Sequence, residues 1–208
     1  MAKYLEGING PFFGKVSRVI GTSNRSVSYM KGVGDKRVDN PSEAQLLSRA
    51  RLSIMTNFLT PIAEVLEIGF PAKRRDITSV NQAMKINMKN ALNISSPIAE
   101  IVYPKLQIGK GTLPASYKPG VEVLGELQLR FFWDHFPMSN PHDLVTILCF
   151  CPSLNSFHRF INTAKRSDLK FTFSFEKMFL GQEIHSWILF SNGTIASKSG
   201  YLGNITVS

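Results

Sequence analysis

The hydrophobic pattern of this 208-residue chain changes period once, near residue 95. Before that point apolar residues recur every three or four positions, and after it they recur every second. Leu47, Ala50, Ile54, Phe58 and Ile62 keep helical spacing, with Leu46, Met55 and Leu59 widening the stripe. That spacing predicts a helix burying one face. Ser42 and Gln45 form a capping box at its start, each side chain satisfying an amide of the first turn. Thr60 before Pro61 interrupts the run, because proline lacks an amide hydrogen and its ring crowds the preceding turn. A short second helix is expected with Thr60 as cap and Pro61 in its first position, ending at Gly69 in the left-handed conformation glycine tolerates best. Ser79 and Gln82 open a third helix through Leu92, whose apolar side is Val80, Ala83, Met84, Met88 and Ala91.

Ahead of the helices, residues 14–20 and 25–30 are β-prone and flank Gly21, Thr22, Ser23 and Asn24, which favour a turn. A β-hairpin is expected there. Beyond Ser95, strands are expected at 101–103, 106–108, 121–124, 126–133, 145–151, 170–175, 184–190 and 201–207. Alternation is clearest in Leu127, Leu129, Phe131 and Trp133, and again in Phe171, Phe173 and Phe175. Short strands punctuated by Gly, Pro and Asn, with no strand–helix alternation, predict an antiparallel β-sandwich of immunoglobulin or fibronectin III type and exclude a nucleotide-binding α/β sheet. The expected fold class is α+β. An N-terminal hairpin and helices, residues 1–95, would pack beside a C-terminal β-sandwich, residues 96–208.

Charge sharpens this division. The net charge is +9, and residues 1–93 hold 14 Lys and Arg against 7 Asp and Glu, while residues 94–208 hold 10 against 8. The basic half supplies a candidate contact for nucleic acid or another acidic partner: Arg18, Arg25, Lys31, Lys36, Arg37, Arg49, Arg51, Lys73, Arg74 and Arg75. The N-terminal residues carry no apolar signal-peptide core and no stretch has the length of a membrane span, so a soluble protein is expected, cytoplasmic or within a virion-like assembly.

Candidate chemistry is sparse. Cys149 and Cys151 stand two apart in an apolar strand and would share one face as small free hydrophobes. His135, His142, His158 and His185 are too scattered to complete a zinc site with them. Asp134 with His135, and His142 with Asp143, are adjacent pairs whose side chains diverge on an extended chain. Glu183 and His185 could share one strand face. Gly109 and Gly111 lack the third glycine of a phosphate loop and read as a turn. No catalytic residue, metal ligand, cofactor or small-molecule substrate is indicated.

Five stretches carry a resemblance: "GINGPFFGKVSRVIG", "PSEAQLLSRARLSIMTNFLTPI", "LQIGKGTLP", Trp133–Asp134 after a β-run, and "GYLGNITV". Together they resemble a Bacteroidota family of about this length known as a domain of unknown function. The first half is also similar to a pattern in small phage-encoded proteins, with Tyr29, Lys31, Pro41, Ala44, Gln45, Arg49 and Arg51 in its places. The chain departs from its relatives at Ser23–Asn24–Arg25, where they carry a tryptophan. The resemblance implies no activity. The expected function is a non-enzymatic structural or protein-interaction role, in an assembly of mobile-element origin, with nucleic-acid binding as the alternative and an enzyme as the third.

Overall fold

A computed structural model describes residues 12–24, 27–35, 39–71, 77–93 and 99–207, together with the backbone of 2–3. The chain forms two compact units, Met1–Ser42 and Glu43–Ser208.

The first unit is a four-stranded antiparallel sheet. Its strands are β1 (Ala2–Lys3), β2 (Gly14–Val16), β3 (Val19–Asn24) and β4 (Val27–Gly32), in the order β1-β4-β3-β2. The expected hairpin is thus a longer meander, with its turns elsewhere. Strand β2 folds back into β3 at Ser17–Arg18, where Ser17 takes a left-handed φ of 53° as the primed hairpin turns require. Gly21 to Asn24, expected as the turn, is strand paired from Gly21↔Met30 to Asn24↔Val27. Gly21 is small for another reason: a Cβ there would lie 2.2 Å from the Phe12 carbonyl oxygen. No apolar side chain among the described residues of this unit is buried, and Phe13, Val16, Val19, Val27 and Val33 are exposed.

The second unit opens with α1 (Glu43–Leu59), α2 (Ala63–Gly69) and α3 (Ser79–Asn90). Helix α1 starts and stops where the sequence predicts. Within α1 itself only Met55, Phe58 and Leu59 are buried, all in the last two turns, while Leu46 and Leu52 are half exposed. Helix α2 begins two residues later than expected, since Thr60 and Pro61 form a turn closed by Ala63 N–H donating to the Thr60 carbonyl (3.2 Å). Gly69 is not a left-handed cap. A Cβ on it would lie 2.0 Å from the Ile108 carbonyl oxygen, so glycine here permits a chain crossing. The cap of α3 is Thr78 rather than Ser79, its hydroxyl accepting from Asn81 N–H at 3.1 Å.

After the short pair β5 (Leu92–Asn93) and β6 (Glu100–Ile101) comes a 3-10 turn, Tyr103–Lys105. Seven strands follow: β7 (Tyr117–Gly125), β8 (Gln128–Asp134), β9 (Leu144–Cys151), β10 (Ser156–Lys165), β11 (Lys170–Ser174), β12 (Glu183–Ser191) and β13 (Gly200–Thr206). They make a three-stranded sheet, β11-β8-β7, and a four-stranded sheet, β10-β9-β12-β13, antiparallel throughout. This is a seven-stranded sandwich of the fibronectin III and immunoglobulin kind. Strand β10 escaped the sequence pattern. Its apolar residues Phe157, Phe160, Ile161 and Ala164 fall at helical intervals because a bulge separates Phe160 from Ala164, with Asn162 at φ 52°. Residues 106–108, expected as a strand, form none: Leu106 and Ile108 are buried, Gln107 is half buried, and the chain bends at Ile108.

Period-two geometry sorts the four-stranded sheet into two faces. Val145, Ile147, Cys149 and Cys151 of β9, with Ile184, Ile188 and Phe190 of β12, join Leu129, Phe131 and Trp133 of β8 in the sandwich core. Leu148, Phe150, Trp187 and Leu189 face the other way and form a second core with Phe58, Leu59, Ile62, Leu66 and Ala83 of the helical layer. The helices therefore belong with the sandwich, and the compact units divide at 42/43 instead of the expected 95/96. Among the described residues, no helix is long and apolar enough to cross a membrane.

Candidate functional site

Four of the ten basic candidates, Arg18, Lys31, Arg49 and Arg51, fall on described residues. Arg25, Lys36, Arg37, Lys73, Arg74 and Arg75 lie outside the described residues. Arg18 and Lys31 are exposed on the N-terminal sheet, and Arg49 is exposed on α1. Arg51 is half buried, its Nε atom enclosed without a hydrogen-bond partner. Pairing adds one basic residue that sequence reading left out. Lys15, Ile20 and Lys31 stand directly opposite one another on β2, β3 and β4, beside the pair Thr22 and Tyr29. Residues in register share a face, so two exposed lysines and a tyrosine lie on one side of this sheet.

The acid and imidazole pairs come apart. Asp134 and His135 are exposed at the end of β8, and His142 is exposed. Asp143 turns inward to Arg166, Oδ2 to Nε at 3.1 Å, with both side chains almost wholly enclosed. Arg166 also donates to the carbonyls of Pro114 (2.8 Å) and Ala115 (3.4 Å), lies 3.7 Å from the Phe190 ring centre, and its own carbonyl accepts from Trp133 Nε1 at 2.8 Å. Burial pulls its guanidinium below the usual range while Asp143 pulls back. This is a structural clasp at one end of the sandwich.

Cys149 and Cys151 are buried, unpaired thiols on the sandwich side of β9, as the spacing predicts. Burial pushes the Cys149 thiol up to about 12, opposed by a contact with the Ser186 hydroxyl, so it is inert as a nucleophile. His158 sits among Phe160, Phe173, Phe175 and Phe179, with Nε2 buried and unpartnered. His185 is not on a wet strand face. It lies on the helix side, 8% exposed, stacked on Tyr103 at 4.2 Å, with Nδ1 2.7 Å from the Tyr201 hydroxyl and Nε2 4.0 Å from Glu183. Burial lowers both imidazoles, partly offset by Glu176 at His158 and Glu183 at His185. Glu183 also accepts from Asn204 Nδ2.

The segment 106–113 explains the "LQIGKGTLP" motif. Asn87, fully buried on α3, clamps Gln107 by donating from Nδ2 to its carbonyl and accepting its N–H, both at 2.8 Å. Ile108 N–H donates to Ser199 Oγ, and Lys110 N–H to the Gly69 carbonyl. A Cβ on Gly111 would meet the Ala196 carbonyl oxygen at 1.8 Å. The glycines let this segment cross α2 and the β12–β13 connection at backbone contact. Beside it lies a cavity of about 600 Å³ lined by Lys89, Asn90, Lys105, Lys198, Ser199 and Tyr201, among others. Nothing in the sequence marks these residues, which are spread over more than a hundred positions. Among the described residues, no cluster of His, Cys, Asp and Glu could hold a metal ion.

Fold and site together define a fibronectin III-like sandwich with a helical layer on one sheet. The model of a family described as "Family of unknown function (DUF6266)" matches residues 11–203, and the chain belongs to that family. Among curated proteins none matches. Among solved structures, the FN1-FN3 domains of chicken CNTN1 match with a TM-score of 0.35 at 11% identity over 47% of this chain. The fn3 domain of human contactin 1 matches at 0.29, with 9% identity over 46% of this chain and 74% of its own. Titin kinase with its flanking domains matches at 0.31, with 10% identity over 43% of this chain and 16% of its own. This chain covers 32% of the chicken CNTN1 chain.

Proposed function

We propose that this protein is a non-enzymatic structural or interaction protein that is completed by another protein chain. The observation that carries the reading is the N-terminal sheet, which buries no apolar side chain among its described residues. A small sheet without a buried apolar face is marginal in water. The half-exposed Leu46 and Leu52 on α1 add to the need for a cover. The resemblance of the first half to small phage-encoded proteins suits an assembly of mobile-element origin, whether cytoplasmic or virion-like. Dispersed acids and imidazoles support a role without catalysis. Light scattering across a concentration series, with hydrogen exchange on residues 12–35, tests the reading. Expected are association, or fast amide exchange in the isolated chain that slows when the partner is added. A concentration-independent monomer whose N-terminal amides are already protected would overturn it.

The row Lys15–Ile20–Lys31 beside Tyr29 favours a second reading, nucleic-acid binding by the basic N-terminal sheet. Lysines around an aromatic on a sheet face suit phosphates and stacked bases. Such binding weakens steeply with salt. Absence of any DNA or RNA shift at low salt removes this reading.

A further inference from the structure

Three lysines far apart in the sequence meet at one cavity. Lys89 comes from the last turn of α3, Lys105 from the 3-10 turn, and Lys198 from the connection between β12 and β13. No aspartate or glutamate lines the cavity. Among the described residues none of the three ammonium groups joins an ion pair. The polar groups between them are held in place. Ser199 Oγ accepts from Ile108 N–H at 3.0 Å, leaving its hydroxyl hydrogen to donate elsewhere. The Tyr201 hydroxyl is fixed by His185, and the wall at Gln107 by Asn87.

Charges of one sign around a concavity concentrate field there and raise the local population of counter-ions. Two features oppose an anion: the half negative charge at the C-terminus of α3, and Glu183 behind Tyr201. Three full positive charges outweigh that half charge and the one carboxylate of Glu183, which the neutral Asn204 amide positions without cancelling.

We propose that this cavity binds a small polyanion, a ligand carrying at least two phosphate or carboxylate groups. Its three ammonium groups would share the anionic groups among them, and Ser199 and Asn90 would donate between. This inference stands apart from the protein-partner reading, since the cavity lies wholly within Glu43–Ser208.

The test is titration of the full chain with inorganic pyrophosphate and, separately, with citrate at constant ionic strength. Binding is read by calorimetry and by amide shifts in nitrogen-labelled protein. Saturable binding is expected, with shifts concentrated at 89–90, 105–107 and 198–201. Response to pyrophosphate alone assigns phosphate, and response to citrate alone assigns carboxylate. Lys89→Met, Lys105→Met and Lys198→Met should each weaken binding about tenfold, the loss of one charge-assisted contact. Lys177→Met, which removes a surface charge that does not line the cavity, should leave affinity within about twofold. The spectra report whether each variant is folded. No saturable binding of either probe up to on the order of 10 mM overturns the proposal, as does an equal loss in Lys177→Met.

Discussion

Arg166 shows how much of this molecule rests on single buried polar side chains. Its charge is answered by Asp143, two carbonyls and the face of Phe190. Taking both partners out of water costs most of what their attraction returns, but removing one strands the other. Asp143→Ala should cost about 3–5 kcal/mol in urea unfolding. The double variant Asp143→Leu, Arg166→Met should recover much of that loss, because it leaves no buried charge. His158 poses a related problem, as its buried Nε2 has no partner among four phenylalanines. Burial holds its folded pKa below the ordinary 6.5, and His185 behaves the same way. As pH falls below 6.5 the unfolded chain takes up protons that the folded chain resists. Stability is therefore present above that value and lost as pH falls through the folded pKa. Denaturation midpoints between about pH 8 and pH 5 should drop toward acid, and His158→Phe should flatten the drop. An unchanged slope in that variant would put the effect elsewhere.

At the scale of elements, the informative residues are the ones that are missing side chains. The segment 106–113 forms no strand and bridges only at Leu113↔Ser197, yet it is pinned at Asn87, Gly69, Ser199 and Ala196. Such crossings need glycine because backbone atoms occupy the space of a Cβ. Gly111→Ala would push a methyl against the Ala196 carbonyl, and a loss of about 1–3 kcal/mol is expected from overpacking. Gly125→Ala, which meets nothing within 4 Å, should change stability little. Thermal unfolding of the two variants side by side checks this. In the sequence these glycines read as a turn and a helix stop, both local explanations. The true reason, a backbone arriving from 39 residues away at Gly69 and 85 at Gly111, leaves no local trace.

At the scale of the whole second unit, the four-stranded sheet is shared between two cores. Trp133 lies in the sandwich core and Trp187 in the core under the helices, and they are the only two tryptophans. One sheet with both faces buried couples the layers, so they should unfold together. Single-tryptophan variants, Trp133→Phe and Trp187→Phe, should give coincident fluorescence transitions that also coincide with circular dichroism. Separate transitions would mean the helices are only loosely seated. The shared sheet also accounts for the unbroken apolar runs of β9 and β12, since strands buried on both sides lose their alternation.

The sequence by itself determined the three helices, six of the seven sandwich strands and the inert packing of the cysteines, because periodicity and capping are local. It reached the antiparallel α+β build and the sandwich type for the same reason. Only the tertiary structure decided that helices and sandwich form one unit, that the first turns meander through Ser17, and that β10 completes the sheet around a bulge. It alone turned Asp143 to Arg166 and His185 to Tyr201. It also brought Lys89, Lys105 and Lys198 to one cavity. Those outcomes depend on which segments meet in space, from 16 residues apart at His185 and Tyr201 to 109 at Lys89 and Lys198, and are set by packing and buried hydrogen bonds that no short window of sequence contains.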